Sequence, residues 1–194
     1  MNIELQKKLY ENYPKIFSDT GKPATESCMA WGIECGDGWY NIIDMLCQSV
    51  LECYTTSIRI NPEDGHIVGG EPFYTIYPPD VVASQIKEKF GTLRFYYSLK
   101  YNPKLIELEN TGRYPDIANV KNGYSNYIDG MVHFAEVMSS RTCEKTGKDG
   151  EMHVSGGTRR GWYKVLNREF AKTDESCVSR EYVPVKSLPK DEEL

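Results

Sequence analysis

The stretch Gln85-Ile86-Lys87-Glu88-Lys89-Phe90-Gly91-Thr92-Leu93-Arg94-Phe95-Tyr96-Tyr97 decides the fold class. Runs rich in β-branched and aromatic residues over 81–87 and 93–99 flank Lys89-Phe90-Gly91-Thr92, and that pattern predicts a β-hairpin. In the second arm Leu93, Phe95 and Tyr97 point to one face, and Arg94 and Tyr96 to the other. A hairpin with one apolar face needs a second layer to cover it. Trp39, Ile42, Ile43, Leu46, Cys47, Val50, Leu51 and Tyr54 supply it, because their three- and four-residue steps predict an amphipathic helix over 39–54. The turn Glu34-Cys35-Gly36-Asp37-Gly38 leads into that helix, with Asp37 placed as an N-cap or first-turn carboxylate. The expectation is an α+β protein, an antiparallel sheet packed with helices.

Outward from this centre, an apolar stripe over 2–17 predicts a first helix that stops near Pro14. Strands are expected over 55–60, ending at the turn Asn61-Pro62-Glu63-Asp64-Gly65, and over 73–77, ending at Pro78-Pro79. Tyr124, Tyr127, Ile128, Met131, Val132, Ala135 and Met138 predict a helix over 124–138. Between these, 100–123 is rich in Asn, Pro, Gly, Tyr and Lys and reads as a long irregular excursion, with a short structured piece at 104–109. Downstream, 143–150 reads as turns, 151–154 as a short strand and 162–171 as a third helix. Residues 173–194 have few large apolar groups and an acidic end, and read as an extended tail. The organisation expected is a core over 1–140, a small basic element over 141–172 packed on it, and the tail over 173–194.

Bulk composition agrees with one folded domain: 194 residues, 40% hydrophobic, 26% charged, net charge −5. No run approaches the roughly 18 apolar residues of a membrane span, so no membrane partner is expected. The opening Met1-Asn2-Ile3-Glu4-Leu5-Gln6-Lys7 lacks a basic and then apolar leader, which predicts a cytoplasmic location. Cys28, Cys35, Cys47, Cys53, Cys143 and Cys177 are then expected as reduced thiols, and none stand in C-x2-C spacing.

Catalytic motifs are weak. Pro79-Asp80 with Gln85-Ile86-Lys87 echoes a metal-dependent nuclease pattern, but the spacing is too short for the acids and lysine to converge from adjacent strands. Cys35 before a helix would be a candidate nucleophile only with a positioned histidine, and nothing ties His66, His133 or His153 to it. Gly36-Asp37-Gly38 and Ser155-Gly156-Gly157-Thr158 match no phosphate loop. No catalytic residue, metal or cofactor is assigned. Charge is more informative. Residues 141–172 carry eight Lys/Arg (Arg141, Lys145, Lys148, Arg159, Arg160, Lys164, Arg168 and Lys172) against four Asp/Glu, in an acidic chain. Trp162 and Tyr163 lie among them. Such a basic-aromatic island suits a phosphate backbone or an acidic protein face, and in the expected helix Lys164 and Arg168 would share a face, with Arg160 one turn before them.

Glu34-Cys35-Gly36-Asp37-Gly38-Trp39-Tyr40 and Lys87-Glu88-Lys89-Phe90-Gly91-Thr92-Leu93-Arg94-Phe95-Tyr96-Tyr97 resemble strings of an uncharacterised family of phage and prophage proteins. The likeness runs from about residue 8 to residue 172. A third island, from Ser140-Arg141-Thr142-Cys143-Glu144-Lys145-Thr146-Gly147, resembles that family's zinc knuckle. Here Cys143 keeps the first ligand position, whereas Thr146, Asn167 and Phe170 stand at the other three. The resemblance therefore implies a knuckle-like C-terminal element without its metal, packed around Trp162 and Phe170. It also implies a mobile-element setting. There the expected role is a non-enzymatic counter-defence inhibitor of the anti-CRISPR type, in the cytoplasm of a bacterial host. Its expected partner is a nucleic-acid-directed host effector protein or nucleoprotein complex. A nucleic-acid-binding accessory protein with direct nucleic-acid contact is the alternative, and a metal-dependent nuclease the weaker one.

Overall fold

The computed structural model describes residues 1–53, 58–61 and 74–188. In chain order these give α1 (Ile3–Asn12), β1 (Ile33–Glu34), α2 (Tyr40–Cys53), β2 (Ile58–Ile60), β3 (Tyr74–Ile76), β4 (Asp80–Lys89), β5 (Thr92–Lys100), α3 (Pro103–Asn110), α4 (Pro115–Ser139), β6 (Glu151–Val154), β7 (Tyr163–Leu166), α5 (Arg168–Thr173), α6 (Glu175–Val178) and β8 (Val183–Pro184). Short 3-10 turns precede α2 at Asp37–Trp39 and follow β8 at Val185–Ser187. The chain is α+β. Tyr54, His66 and the turn expected at 62–65 lie outside the described residues.

The hairpin forms as its alternation predicts. β4 and β5 pair antiparallel from Asp80↔Lys100 to Lys89↔Thr92, with a bulge between Ala83 and Gln85, and β1 adds in parallel beside β4. Ile86, Leu93 and Phe95 enter the main core with Trp39, Ile43, Leu46, Cys47 and Val50 of the α2 region, Leu9 of α1, and Ile128, Val132 and Ala135 of α4. Asn2 caps α1, accepting the N–H groups of Glu4 (2.8 Å) and Leu5 (3.3 Å). Asp37 lies in the 3-10 segment that precedes α2, outside the first turn of α2 itself, and accepts the Asn2 N–H at 2.6 Å, so it ties that segment to the start of α1.

β5 is an edge strand of its sheet, and α4 runs antiparallel along that edge. The Leu93 N–H donates to Ser139 Oγ (2.8 Å), the Phe95 N–H to Glu136 Oε1 (3.2 Å), and the Tyr97 hydroxyl to Asp129. Two backbone donors of this edge, those of Leu93 and Phe95, are thus satisfied by side chains of a helix in place of a further strand.

Three expectations are corrected. Residues 100–123 are not an irregular excursion: α3 and the first turns of α4 occupy them. The residues that read as loop formers serve as punctuation. Asn102 caps α3 by accepting the Lys104 N–H (2.8 Å), Pro103 opens it, and Gly112 ends it at φ 66°. Leu105, Leu108, Ile117 and Val120 then close a second small core with Ile76.

The helix expected over 162–171 is a strand followed by a helix. Tyr163, Val165 and Leu166 carry the aromatic and apolar bulk that suits β7, which pairs with β6. Asn167 then starts α5 by accepting the N–H groups of Glu169 (3.1 Å) and Phe170 (3.3 Å).

The stretch expected as an extended tail folds as far as residue 188. Asp174 caps α6, β8 pairs with β6, and Cys177 and Tyr182 are buried with Cys143, Leu166 and Ala171. Trp162 takes no part in this cluster, being 78% exposed, whereas Phe170 packs against it.

Two stability measurements follow from this packing. Trp39 is fully buried and its Nε1–H donates to the Thr142 carbonyl at 2.8 Å. Chemical denaturation of Trp39→Ala is expected to show a loss of about 3–5 kcal/mol. Ending the chain after residue 173 removes Cys177, Tyr182 and β8, and is expected to cost on the order of 3 kcal/mol by the same measurement.

Candidate functional site: a cationic and aromatic cleft at the hairpin tip

Lys89↔Thr92 is the last pair of the β4–β5 ladder, so Phe90-Gly91 is a two-residue hairpin loop. Both residues are left-handed, at φ 54° and 80°. This is the backbone of a type I′ turn, where Asn-Gly is the favoured sequence and a bulky residue in the first position is strained. Phe90 gains no burial from it, as it is 69% exposed. Its ring lies 5.4 Å from Lys89 Nζ.

The tip docks against the C-terminal element. A Cβ on Gly91 would lie 2.6 Å from Met152 Sδ and 3.2 Å from the Lys164 backbone nitrogen. That approach brings the tip to the loop before β7, and the two enclose a cleft of about 560 Å³ lined by Glu88, Lys89, Phe90, Arg159, Arg160, Gly161, Trp162 and Tyr163. The loop is set by short bonds: the Tyr163 hydroxyl donates to the Arg159 carbonyl (2.7 Å) and the Trp162 N–H to Ser155 Oγ (2.9 Å). The cleft thus combines two exposed aromatic rings with three cations. On the outward face of the hairpin behind it stand Lys87, 5.6 Å from the ring of exposed Tyr96, and Arg94.

The basic island is divided by the fold. Arg159, Arg160, Trp162 and Tyr163 line the cleft. Lys164 turns away to a 2.7 Å ion pair with the buried carboxylate of Glu144. Arg168 pairs with Glu151, which also holds Lys186. The hydrogen-bonded Arg168 guanidinium foremost, helped by Lys186 and opposed by burial, lowers the Glu151 carboxyl to a pKa of about 2. Arg160, Lys164 and Arg168 therefore share no helix face, because 163–166 is a strand. Lys145 lines a separate cavity with Lys87, Lys164 and Met1, whose amine is the fourth base, against Glu34, Asp37, Glu88 and Glu144. Arg141, Lys148 and Lys172 are exposed and line neither space.

Lys89 and Phe90 are the contributors to the cleft that the charge count alone passes over. The signal for them was the turn itself, since a two-residue loop at Phe90-Gly91 puts a phenyl ring at the tip with Lys89 beside it. The positions resembling a zinc knuckle now carry other bonds. Asn167 Nδ2 donates to the Asp149 carbonyl (3.0 Å), Thr146 Oγ1 accepts the Lys148 N–H (3.3 Å), and Cys143 is buried in the small core. Among the described residues no group of three His, Cys, Asp or Glu is placed to hold a metal ion.

The catalytic candidates do not assemble. Asp80 and Lys87 lie on one strand roughly 20 Å apart, so they cannot share a site. Burial raises the Cys35 thiol to a pKa of about 12, which keeps it protonated. Among the described residues no helix is long and apolar enough to cross a membrane. Compared with protein-family models, curated proteins and solved structures, the chain matches none.

Strain at an exposed position predicts a separation of stability from function. Phe90→Asn fits the left-handed turn better and is expected to raise unfolding free energy by about 0.5–1 kcal/mol. The same variant is expected to bind ligand at the cleft more weakly. Denaturant titration checks the first effect, and the binding assay described next checks the second.

Proposed function

We propose that this chain is a non-enzymatic binding protein of a phage or other mobile element, a counter-defence inhibitor that meets a nucleic-acid-directed host effector at its exposed single strand. The observation that carries the reading is Phe90, strained and solvent-facing, sharing one cleft with Trp162, Lys89, Arg159 and Arg160. Exposed rings give unpaired bases a stacking surface, and flanking cations take the adjacent phosphates. Double-stranded helices keep their bases stacked, so the combination favours single strands over duplexes. The mobile-element setting rests on the resemblance of the Glu34–Tyr40 and Lys87–Tyr97 strings, both of which lie around this part of the fold. The same cleft favours a second reading, an accessory protein that holds free single strands without any effector.

The test is fluorescence anisotropy with labelled single-stranded and duplex oligonucleotides, alongside capture from nuclease-treated and untreated bacterial lysate. Trp162→Ala is expected to weaken single-strand binding about 5- to 100-fold, the worth of one stacked base. Lys89→Glu with Arg160→Glu is expected to weaken it further and to flatten its salt dependence. Capture of a protein that survives nuclease treatment would favour the effector reading, and loss of all capture would favour the accessory one. Unchanged single-strand binding in both variants would overturn the assignment of the cleft.

A further inference from the structure

The long helix α4 has two unlike sides. On the side facing the chain its charges are engaged: Lys121 with Glu109 (2.6 Å), Asp129 with the Tyr97 hydroxyl, and Glu136 with the Phe95 N–H and Arg94. On the outward side Gly123, Asn126, Tyr127, Gly130, Phe134 and Val137 follow at three- and four-residue steps, and all are exposed. No Asp, Glu, Lys or Arg interrupts them. Tyr127 is 62% exposed, Phe134 64%, and Met45 of the neighbouring α2 66%. Between the two helices lies an apolar cavity of about 420 Å³. A contiguous apolar face of this kind marks an interaction surface.

We propose that a second copy of this chain docks here, with the two α4 helices antiparallel about a two-fold axis at Gly130. The pattern of side-chain size supports this occupant. Seven residues after Gly130 stands Val137, and seven before it Gly123. Four after it stands Phe134, and four before it Asn126. A two-fold axis turns these spacings into contacts, because in an isologous interface each residue meets its counterpart's partner. Val137 then fills the notch at Gly123, Phe134 lies beside Asn126 and Tyr127, and Gly130 crosses Gly130. Gly123 and Gly130 have nothing within 4 Å of an added Cβ, so both notches are open. Arg141, just beyond α4, comes to the end that carries Asn119 and, one turn further, Asp116.

Area points the same way. Met45, Tyr127, Phe134, Val137 and Met138 together expose roughly 550 Å² per copy, or about 1,100 Å² for two, against the about 1,000 Å² that a specific interface needs.

Sedimentation of the full chain tests the proposal. At about 100 µM the protein is expected at twice its 22.2 kDa chain mass. Gly130→Leu blocks the crossing while improving helix propensity, so it is expected to keep or raise its melting temperature and sediment as a monomer. Phe134→Glu is expected to weaken association about 100-fold or more, since it buries a carboxylate at the seam. Gly130→Cys is expected to give a disulfide-linked dimer on mild oxidation under conditions that leave the parent chain unlinked. A parent chain that stays monomeric at this concentration overturns the proposal, even if its face captures a foreign apolar helix. So does a dimer that survives both Gly130→Leu and Phe134→Glu.

Discussion

The carboxylate of Glu144 is the contact on which the arrangement of this protein depends. It is buried, accepts the Gly36 N–H at 2.9 Å through one oxygen, and holds Lys164 at 2.7 Å through the other. Its backbone carbonyl accepts the Gly38 N–H at 2.9 Å. One residue thus joins the turn before α2, the loop after α4 and β7, an edge strand of the C-terminal sheet. Glycine is required at 36 and 38 because any Cβ there would collide with the Glu144 and Cys143 carbonyls. A buried ion pair contributes little net stability, yet removing one member leaves an uncompensated charge. Its value here is positional. With Lys164 fixed, β7 is fixed, and with β7 the loop that carries Arg159, Arg160 and Trp162.

A structural metal gathers distant loops by coordination. In this chain the gathering is done by hydrogen bonds and packing: Glu144 on Gly36, Asn167 on Asp149, and Cys143 in a core with Cys177 and Tyr182. The 174–188 segment takes part in that packing, since it supplies two buried residues and the strand that completes the three-stranded sheet.

Much of the fold was legible because its signals are local. Alternation around Phe90-Gly91 wrote the hairpin, and three-four spacing from Trp39 wrote α2. The misreadings share one cause. Asn102, Pro103, Gly112 and Pro115 are loop formers by composition but cap and start helices by position, and only the partners of Leu105, Leu108, Ile117 and Val120 decide between the two. Residues 162–171 contain a plausible helical window, yet β6 needs a neighbour for its backbone groups and β7 provides it. The cleft was half visible. Arg159, Arg160, Trp162 and Tyr163 stood out by charge and ring, whereas Lys89 and Phe90 come from a hairpin some seventy residues earlier, and only the close approach at Gly91 brings them together.

The way α4 lies along β5 bears on how this chain behaves when crowded. Free strand edges are templates: they recruit further strands, and a sheet can grow from them without limit. Here one edge already has its Leu93 and Phe95 donors taken by Ser139 and Glu136, and the opposite edge is the two-residue strand β1. Neither side of the sheet offers a run of unmet backbone groups long enough to seed such growth. The hairpin's sheet is therefore closed to strand-by-strand extension, whereas association through a helical surface such as that of α4 saturates at a fixed number of copies.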